Sequence, residues 1–316
     1  MRFIDLHEDI GITSQRADII HDSEQSNLDA LRKFDDVLIF GVSFPHISTM
    51  NERSSSNERR HRNKSSQTSR ATVASWEDLM EQLKVFKYLE RAGEINIVHK
   101  KNDLKKRGIK ILLSLEGTDC LKEPYDLYLL RDLGLRNLGL TWNYDTKFAA
   151  AAMSKKDYGL TGFGEDLIKI ANELRVIVDL AHASKKTILD TCIISKMPVI
   201  DSHTNLKSVH DHVRNIDDES IEAITKTDGV IGITAIKGTL GDNPSIEDMV
   251  TNMEYVGDNF GWRYVALGTD FLGITETPRG FEDVSKVGSL AEMLGTRAKQ
   301  VLWDNAMRVI EKSLSR

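Results

Sequence analysis

The sequence is poor in several features that would each announce a class of protein. Cysteine occurs only at Cys120 and Cys192, too few for a disulfide-stapled secreted scaffold and in keeping with a reducing cytosol. No run approaches the roughly 18 consecutive apolar residues of a membrane-crossing helix, so no membrane partner is expected. Asp5, His7, Glu8 and Asp9 arrive at once, which leaves no room for the basic and then apolar regions of a secretory signal, and a cytoplasmic location is expected. Positive charge is in deficit: 42 Lys and Arg against 48 Asp and Glu give a net charge of −6. A nucleic-acid binder would instead show a basic face, so no nucleic-acid partner is expected. No Gly-rich dinucleotide fingerprint follows an early strand, which argues against an open doubly wound sheet. No internal repeat is detectable.

What is present is an alternation of short apolar runs with helical periods. Strands are expected at 2–6, 37–43, 109–115, 137–141, 176–181, 198–202, 229–234 and 264–269, each a β-branched or apolar run ending in polar residues or glycine. Between them, Ser75 and Asp78 have capping-box spacing ahead of Trp76, Leu79, Met80, Leu83, Phe86 and Leu89 at helical period, with Gly93 as the stop. Further helices are expected at 164–174, 185–195, 217–227 and 246–260. Strand and helix in alternation imply a parallel sheet, because parallel neighbours need a crossover. Although 316 residues would accommodate two average domains, eight such strands predict a single (β/α)8 TIM barrel over 1–316. Residues 51–70 break the pattern with six Ser and six Lys or Arg against only Glu52 and Glu58. The span 46–74 therefore reads as a mobile, solvated insertion after the second strand. Lying on the catalytic face, it could also serve as a lid for an anionic substrate.

Active sites of such barrels lie at the C-terminal ends of the strands, and there the polar residues form a short list. The first strand ends in Asp5-Leu6-His7-Glu8-Asp9, the third in Leu115-Glu116-Gly117 and the fifth in Asp179-Leu180-Ala181-His182. The sixth ends in Asp201-Ser202-His203 and the eighth in Gly268-Thr269-Asp270. On an extended strand His7 and Asp9 point to one face. Alone, His-x-Asp is as readily a hydrogen-bonded His beside a capping Asp. Recurrence of imidazole and carboxylate at the ends of other strands weakens that reading and suits divalent metals, Zn²⁺ first. His21, His46, His61, His99, His210 and His212 fall in loops or polar segments, where solvent exposure is the default expectation.

With these residues in view the sequence resembles the membrane dipeptidase (renal dipeptidase) family, metallopeptidase family M19, among the amidohydrolase-like barrels. The matching segments are IDLHED at 4–9, LEG at 115–117 and GLTGFG at 159–164. The stretch 176–233 holds DLAHAS, PVIDSHTN, HDHVRNIDDESI and GVIGI; ALGTDF at 266–271 and PRGFEDV at 278–284 complete the series in order. The resemblance implies two divalent metal ions, with His7 and Asp9 on one, Glu116 bridging, and His182 with His203 on the other. It further implies that Asp270 is the acidic residue beside a shared water and that Arg214 binds the substrate. The chemistry agrees: two ions about 3.5–4 Å apart turn a shared water into hydroxide near neutral pH and polarise the scissile carbonyl. A carboxyl at Asp270 relays a proton to the leaving amine, and a guanidinium at Arg214 offers a planar fork to a free carboxylate. Without the family, Arg214 reads as readily as a surface ion pair with Asp211 or Asp217.

In one place the sequence departs from the family pattern. Animal members carry a His after Leu-Thr in the fourth-strand segment, where this chain has Leu140-Thr141-Trp142. Trp142 is therefore a candidate substrate contact with a different donor, a single indole N–H. The function implied is a zinc-dependent dipeptidase acting on small dipeptides. Its rivals are another hydrolase on the same metals, acting on an N-acyl amino acid, a lactone or a phosphoester, and a non-catalytic barrel that serves as a binding protein. A homo-oligomer is compatible with this sequence and is not specified by it.

Overall fold

The computed structural model describes residues 1–13, 19, 24–46 and 67–314. Its strands are β1 (Arg2–Glu8), β2 (Asp36–Ser43), β3 (Asn96–Ile97), β4 (Ile109–Glu116), β5 (Leu135–Gly139), β6 (Ile177–Asp179), β7 (Val199–Thr204), β8 (Val230–Ile233) and β9 (Val265–Leu267). Eight of them follow one another in space in the order β1-β2-β4-β5-β6-β7-β8-β9, and every pairing is parallel. These are the eight strands expected from the sequence, with ends shifted by a few residues. The extra strand, β3, pairs through Asn96 and Ile97 with the start of β4, below the stretch of β4 that β5 occupies. Two residues are too few to show an alternation.

The barrel seam between β9 and β1 is made at its upper end. The Asp9 amide donates to the Phe271 carbonyl at 2.9 Å and the Asp270 amide to the His7 carbonyl at 3.0 Å. The buried Asp5 carboxylate accepts from the His7 amide at 3.0 Å and from the Thr269 amide at 2.9 Å, joining the two edge strands through a side chain. The result is a nearly closed (β/α)8 barrel.

Helices Gly162–Leu174, Lys185–Ile194 and Asp218–Lys226 make the crossovers of the second half. Each begins at a side-chain cap, supplied by Thr161, Ser184 and Asp217 respectively, which satisfies amides that the first turn leaves unpaired. The helix expected to begin at Ser75 starts instead at Gln67 and runs to Arg91. Ser75 is thus within the helix rather than at its cap, and the capping-box reading is corrected. Of the insertion expected at 46–74, positions 47–66 lie outside the described residues and 67–74 are helical. Among the described residues, no helix is long and apolar enough to cross a membrane.

The barrel interior is mainly apolar below, apart from the buried Lys110 paired with Asp36, and polar above. Ile4, Leu6, Leu38, Phe40, Leu112, Ile177, Ile200 and Val230 form one buried cluster with Trp303, Ala306, Val309 and Ile310 of the C-terminal segment. Helix Asn305–Ser313 therefore closes the lower mouth. Arg308 holds it there by donating to the carbonyls of Asp228 and Gly229, just ahead of β8. What remains open is the end where the strands finish.

Two register shifts prepare that end. Between Asp5 and Glu8, β1 advances three residues while β2 advances two, from Ile39 to Gly41. The extra residue changes the phase of alternation, so Ile4 and Leu6 face the inner core while His7 and Asp9, further along, also face inward. β7 does the same between Asp201 and Thr204, against Ile231 to Ile233. Its Ser202 carbonyl enters the barrel, where a Cβ on Gly232 would lie 2.0 Å and one on Gly268 1.7 Å from the oxygen. Gly268→Ala is therefore expected to cost about 3 kcal/mol through overpacking. Gly288→Ala, whose new Cβ would meet no other described element within 4 Å, lies in a helix and should not destabilise, with a gain of up to about 1 kcal/mol from helix propensity. Urea midpoints at constant m-value test this, and equal effects at the two positions would refute the packing account.

Candidate metal centre

Five different strands deliver the polar cluster above the core. His7 and Asp9 come from the end of β1, Glu116 is the last residue of β4, His182 follows β6, His203 lies in β7 and Asp270 follows β9. His7, Asp9, Glu116, His182 and His203 are all buried, and Asp270 retains 13% of its side-chain exposure. His182 and Asp270 both adopt left-handed backbone conformations, with φ of 65° and 64°. For non-glycine residues this costs roughly 1–2 kcal/mol each, and such strain is concentrated at functional sites.

Glu116 is at the centre. Its Oε1 lies 3.0 Å from His182 Nε2 and 3.5 Å from His203 Nε2, while Oε2 lies 3.8 Å from His7 Nε2. His7 Nε2 is also 3.6 Å from Asp9 Oδ2 and 3.5 Å from Asp270 Oδ1, yet it makes no hydrogen bond to any of the described residues. The two Nε2 atoms of His182 and His203 face each other at 2.9 Å. Three overlapping triads, His7/Asp9/Glu116, Glu116/His182/His203 and His7/His203/Asp270, each bring three ligand-type atoms within 4.8 Å of one another. A carboxylate that turns one oxygen to each half of a nitrogen and oxygen donor set fits a pair of divalent ions.

The outer nitrogens are occupied in a way that aims the inner ones. His182 Nδ1 donates to Asn143 Oδ1 at 2.9 Å, which leaves the Nε2 lone pair directed at the cluster. The Ser202 hydroxyl lies 2.8 Å from His203 Nδ1 and 3.4 Å from His7 Nδ1. Room for the carboxylates is kept by Gly273, where a Cβ would stand 2.0 Å from Asp9 Oδ2 and 3.0 Å from Asp270 Oδ1.

Electrostatics tell the same story. Burial opposes charge on His7, but Glu116, Asp9 and Asp270 outweigh it and push its pKa up to about 10. Burial, with Asp9 adding to it, pushes Asp270 up to about 8 against the pull of His7, and burial holds Glu116 well above the usual carboxylate range. Burial and the neighbouring positive charges hold His182 and His203 well below the usual imidazole value. His182 and His203 are thus held neutral, while a protonated His7 carries the positive charge that the surrounding carboxylates draw in, a charge that a bound cation would supply in its place.

Asp9, Glu116, His182 and Asp270 of the cluster open onto a cavity of about 430 Å³ whose other lining residues include Phe44, Trp142, Asn143, His212, Arg214 and Thr239. Arg214 is 8% exposed and, among the described residues, its Nη2 has no hydrogen-bond partner. The surface ion pair with Asp211 or Asp217 is not formed, and Asp217 pairs with Lys185 at 2.6 Å. Instead the Asn215 amide ties the Arg214 loop down, donating to the carbonyls of His210 and Thr239, each at 2.8 Å. Trp142 faces the cavity, packed against Phe44, His46 and Tyr144 at ring separations of 5.1, 5.7 and 5.5 Å. His46 corrects the expectation of an exposed loop histidine: it is buried, with its Nε2 3.2 Å from Asp119 Oδ2. Asn143, His212 and Gly273 were not singled out from the sequence. Asn143 was signalled only by its position beside Trp142, just past a strand end; His212, expected to be solvent-exposed, lies in the family segment HDHVRNIDDESI and is half-buried in the cavity wall.

A parallel (β/α)8 barrel with a buried His/carboxylate cluster at its strand ends defines a barrel built to hold divalent metal. The family model for membrane dipeptidases (peptidase family M19) matches residues 1–315, and the chain belongs to this family. It is similar to an uncharacterized dipeptidase of Schizosaccharomyces pombe, 31% identical over 225 residues, which are 69% of this chain and 54% of the relative. It is also similar to dipeptidase verJ of Clonostachys rogersoniana, 32% identical over 213 residues, 64% of this chain and 55% of the relative. The chain thus spans about half the length of the curated relatives it matches. Among solved structures, that of dipeptidase AC, a metallopeptidase of family M19, superposes with a TM-score of 0.83 at 18% identity, covering 100% of this chain and 99% of that one. A metallopeptidase from Rhodobacter sphaeroides, liganded with a phosphinate mimic of the dipeptide L-Ala-D-Ala, gives 0.82 at 18% identity, covering 99% of both chains. At that identity the likeness establishes the fold.

Filling the Gly273 cradle should disturb the cluster without unfolding the barrel. Gly273→Ala is expected to weaken metal affinity about 10–100-fold, the scale of losing a group that orients ligands, with an unchanged far-UV spectrum. Metal content after gel filtration checks this, and wild-type affinity in the variant would exclude the cradle as a determinant.

Proposed function

We propose that the protein, read as one barrel domain over 1–316, is a zinc-dependent dipeptidase that hydrolyses the peptide bond of small dipeptides. The observation that carries this reading is the shared cavity: Asp9, Glu116, His182 and Asp270 of the metal-type cluster line it together with Arg214, whose Nη2 has no hydrogen-bond partner among the described residues. His7 and Asp9 would hold one ion, His182 and His203 the other, and Glu116 both. When bound, two such ions supply an activated water and polarise the scissile carbonyl.

The remaining steps belong to the chain. Arg214 pairs its planar fork with the free carboxylate of the substrate, a bidentate contact that a longer peptide extended past that point does not offer. The reacting bond is thereby held at a set distance from Glu116. Asp270, beside the cluster and still partly open to the cavity, takes a proton at Oδ1 and returns it to the amine nitrogen as the C–N bond breaks. Trp142 closes the wall as a flat, largely apolar surface. That the Rhodobacter sphaeroides metallopeptidase of the same fold is liganded with a mimic of L-Ala-D-Ala supports dipeptides, including those ending in a D-residue, as the first substrates to try. Trp142, where animal family members carry His, keeps N-acyl amino acids, lactones and phosphoesters in the panel.

The purified protein should contain divalent metal and turn over dipeptides in preference to the other classes. Absence of bound metal, with no turnover after addition of Zn²⁺, Mn²⁺ or Co²⁺, would rule the proposal out. Asp270→Asn should keep its metal and lose roughly 10²-fold or more in kcat, the scale of general acid/base catalysis. Loss of metal together with activity would make Asp270 a ligand instead.

A further inference from the structure

We infer that Asn143 does two jobs with one amide: its oxygen fixes His182 in the metal-binding tautomer, and its NH₂ donates to the oxygen of the scissile carbonyl. The second half rests on the dipeptidase reading; the first does not.

Three observations meet at this residue. Asn143 Oδ1 is engaged by His182 Nδ1 at 2.9 Å. Asn143 lines the cavity together with Glu116, His182 and Asp270. Among the described residues its Nδ2 has no hydrogen-bond partner. A planar amide carries its acceptor and its two donors on opposite arms, so commitment of the oxygen to His182 also sets the direction of the nitrogen. The reverse orientation would require Nδ1 of His182 to accept, moving the ring proton to Nε2 and removing that atom as a ligand. The tautomer and the amide orientation are therefore one choice, made by one contact.

The donor matters because the floor of the cavity is rich in acceptors. Asp9, Glu116 and Asp270 all present carboxylate oxygens, and none can stabilise negative charge that develops on a carbonyl oxygen beside them. Arg214 is committed to the substrate carboxylate in the proposed binding mode. An amide donor pre-oriented through a buried histidine costs no reorganisation when that charge appears, the condition under which such donors contribute most. Asn143 is one residue beyond Trp142, so the donor comes from the same strand end as the cavity's aromatic wall.

Asn143→Asp and Asn143→Ala separate the two jobs. Asn143→Asp keeps an acceptor for His182 and loses the donor, so metal stoichiometry should be retained while kcat falls about 10²–10³-fold with KM little changed. Binding of a phosphinate dipeptide mimic should weaken in proportion. Asn143→Ala loses both functions. At saturating metal it should show a similar loss in kcat, which separates the missing donor from the charge introduced by Asp. In chelator competition it should also show one of two metals bound about 10–100-fold more weakly. Full kcat in Asn143→Ala at saturating metal would overturn the donor role. Wild-type metal affinity in that variant, or a ¹⁵N spectrum of the metal-loaded protein with the His182 proton on Nε2, would overturn the anchor. If the wild-type protein cleaves no dipeptide while Asn143→Ala still loses metal affinity, the substrate reading fails and the anchor is supported.

Discussion

The feature on which the rest of this structure depends is the Glu116 carboxylate, buried where two other acids and three imidazoles converge. A charge in a low-dielectric interior is tolerated only when it is paired and hydrogen-bonded. Here the protein provides pairing partners at 3.0–3.8 Å and few hydrogen bonds. His7 Nε2, ringed by three carboxylates and donating to none, shows the same deficit. A cluster arranged in this way is a poor stability device and a good cation cradle, since divalent ions supply the charge that the side chains lack.

Building such a cluster requires the barrel to break its own regularity. In a uniform strand, His7 would alternate out of phase with Ile4 and Leu6. The shift of register in β1 brings both the core residues and the ligand-type residues to the inside. In β7 a second shift drives the Ser202 carbonyl inward and presents His203, and the empty positions of Gly232 and Gly268 receive it. His182 and Asp270 reach the centre through left-handed backbone turns. The apolar lower half, sealed by the C-terminal helix, supplies the packing energy that these irregularities draw on, a division between scaffold and site typical of barrels.

Around the cluster, single contacts fix orientation. Asn143 faces His182, Ser202 lies between His203 and His7, and Asn215 pins the loop of Arg214. Because each ligand-type histidine has its outer nitrogen occupied, its inner nitrogen is directed before any ion arrives, and binding carries a smaller ordering cost.

Much of this was legible in the residues alone. Eight short strands separated by helical periods specify a parallel barrel, because local periodicity is an intrinsic property of the chain and parallel strands leave little choice of connection. The rule that barrel sites lie at strand ends placed His7, Asp9, Glu116, His182, His203 and Asp270 on a short list that also held Asp5, Glu8, Asp179 and Asp201; the family resemblance selected the six, all of which the fold brings together. Asn143, Gly273 and the burial of His46 were not legible, since each is defined by what it touches across the barrel: Asn143 by a histidine 39 residues away, Gly273 by Asp9, His46 by Asp119 and Trp142. By itself the sequence determined the fold, through periodicity, and, through motifs that resemble a known family, the ligand-type residues. Tertiary structure alone decided how those residues are aimed, because the register shifts, the tautomers and the empty space beside a glycine arise only when distant strands are packed against one another.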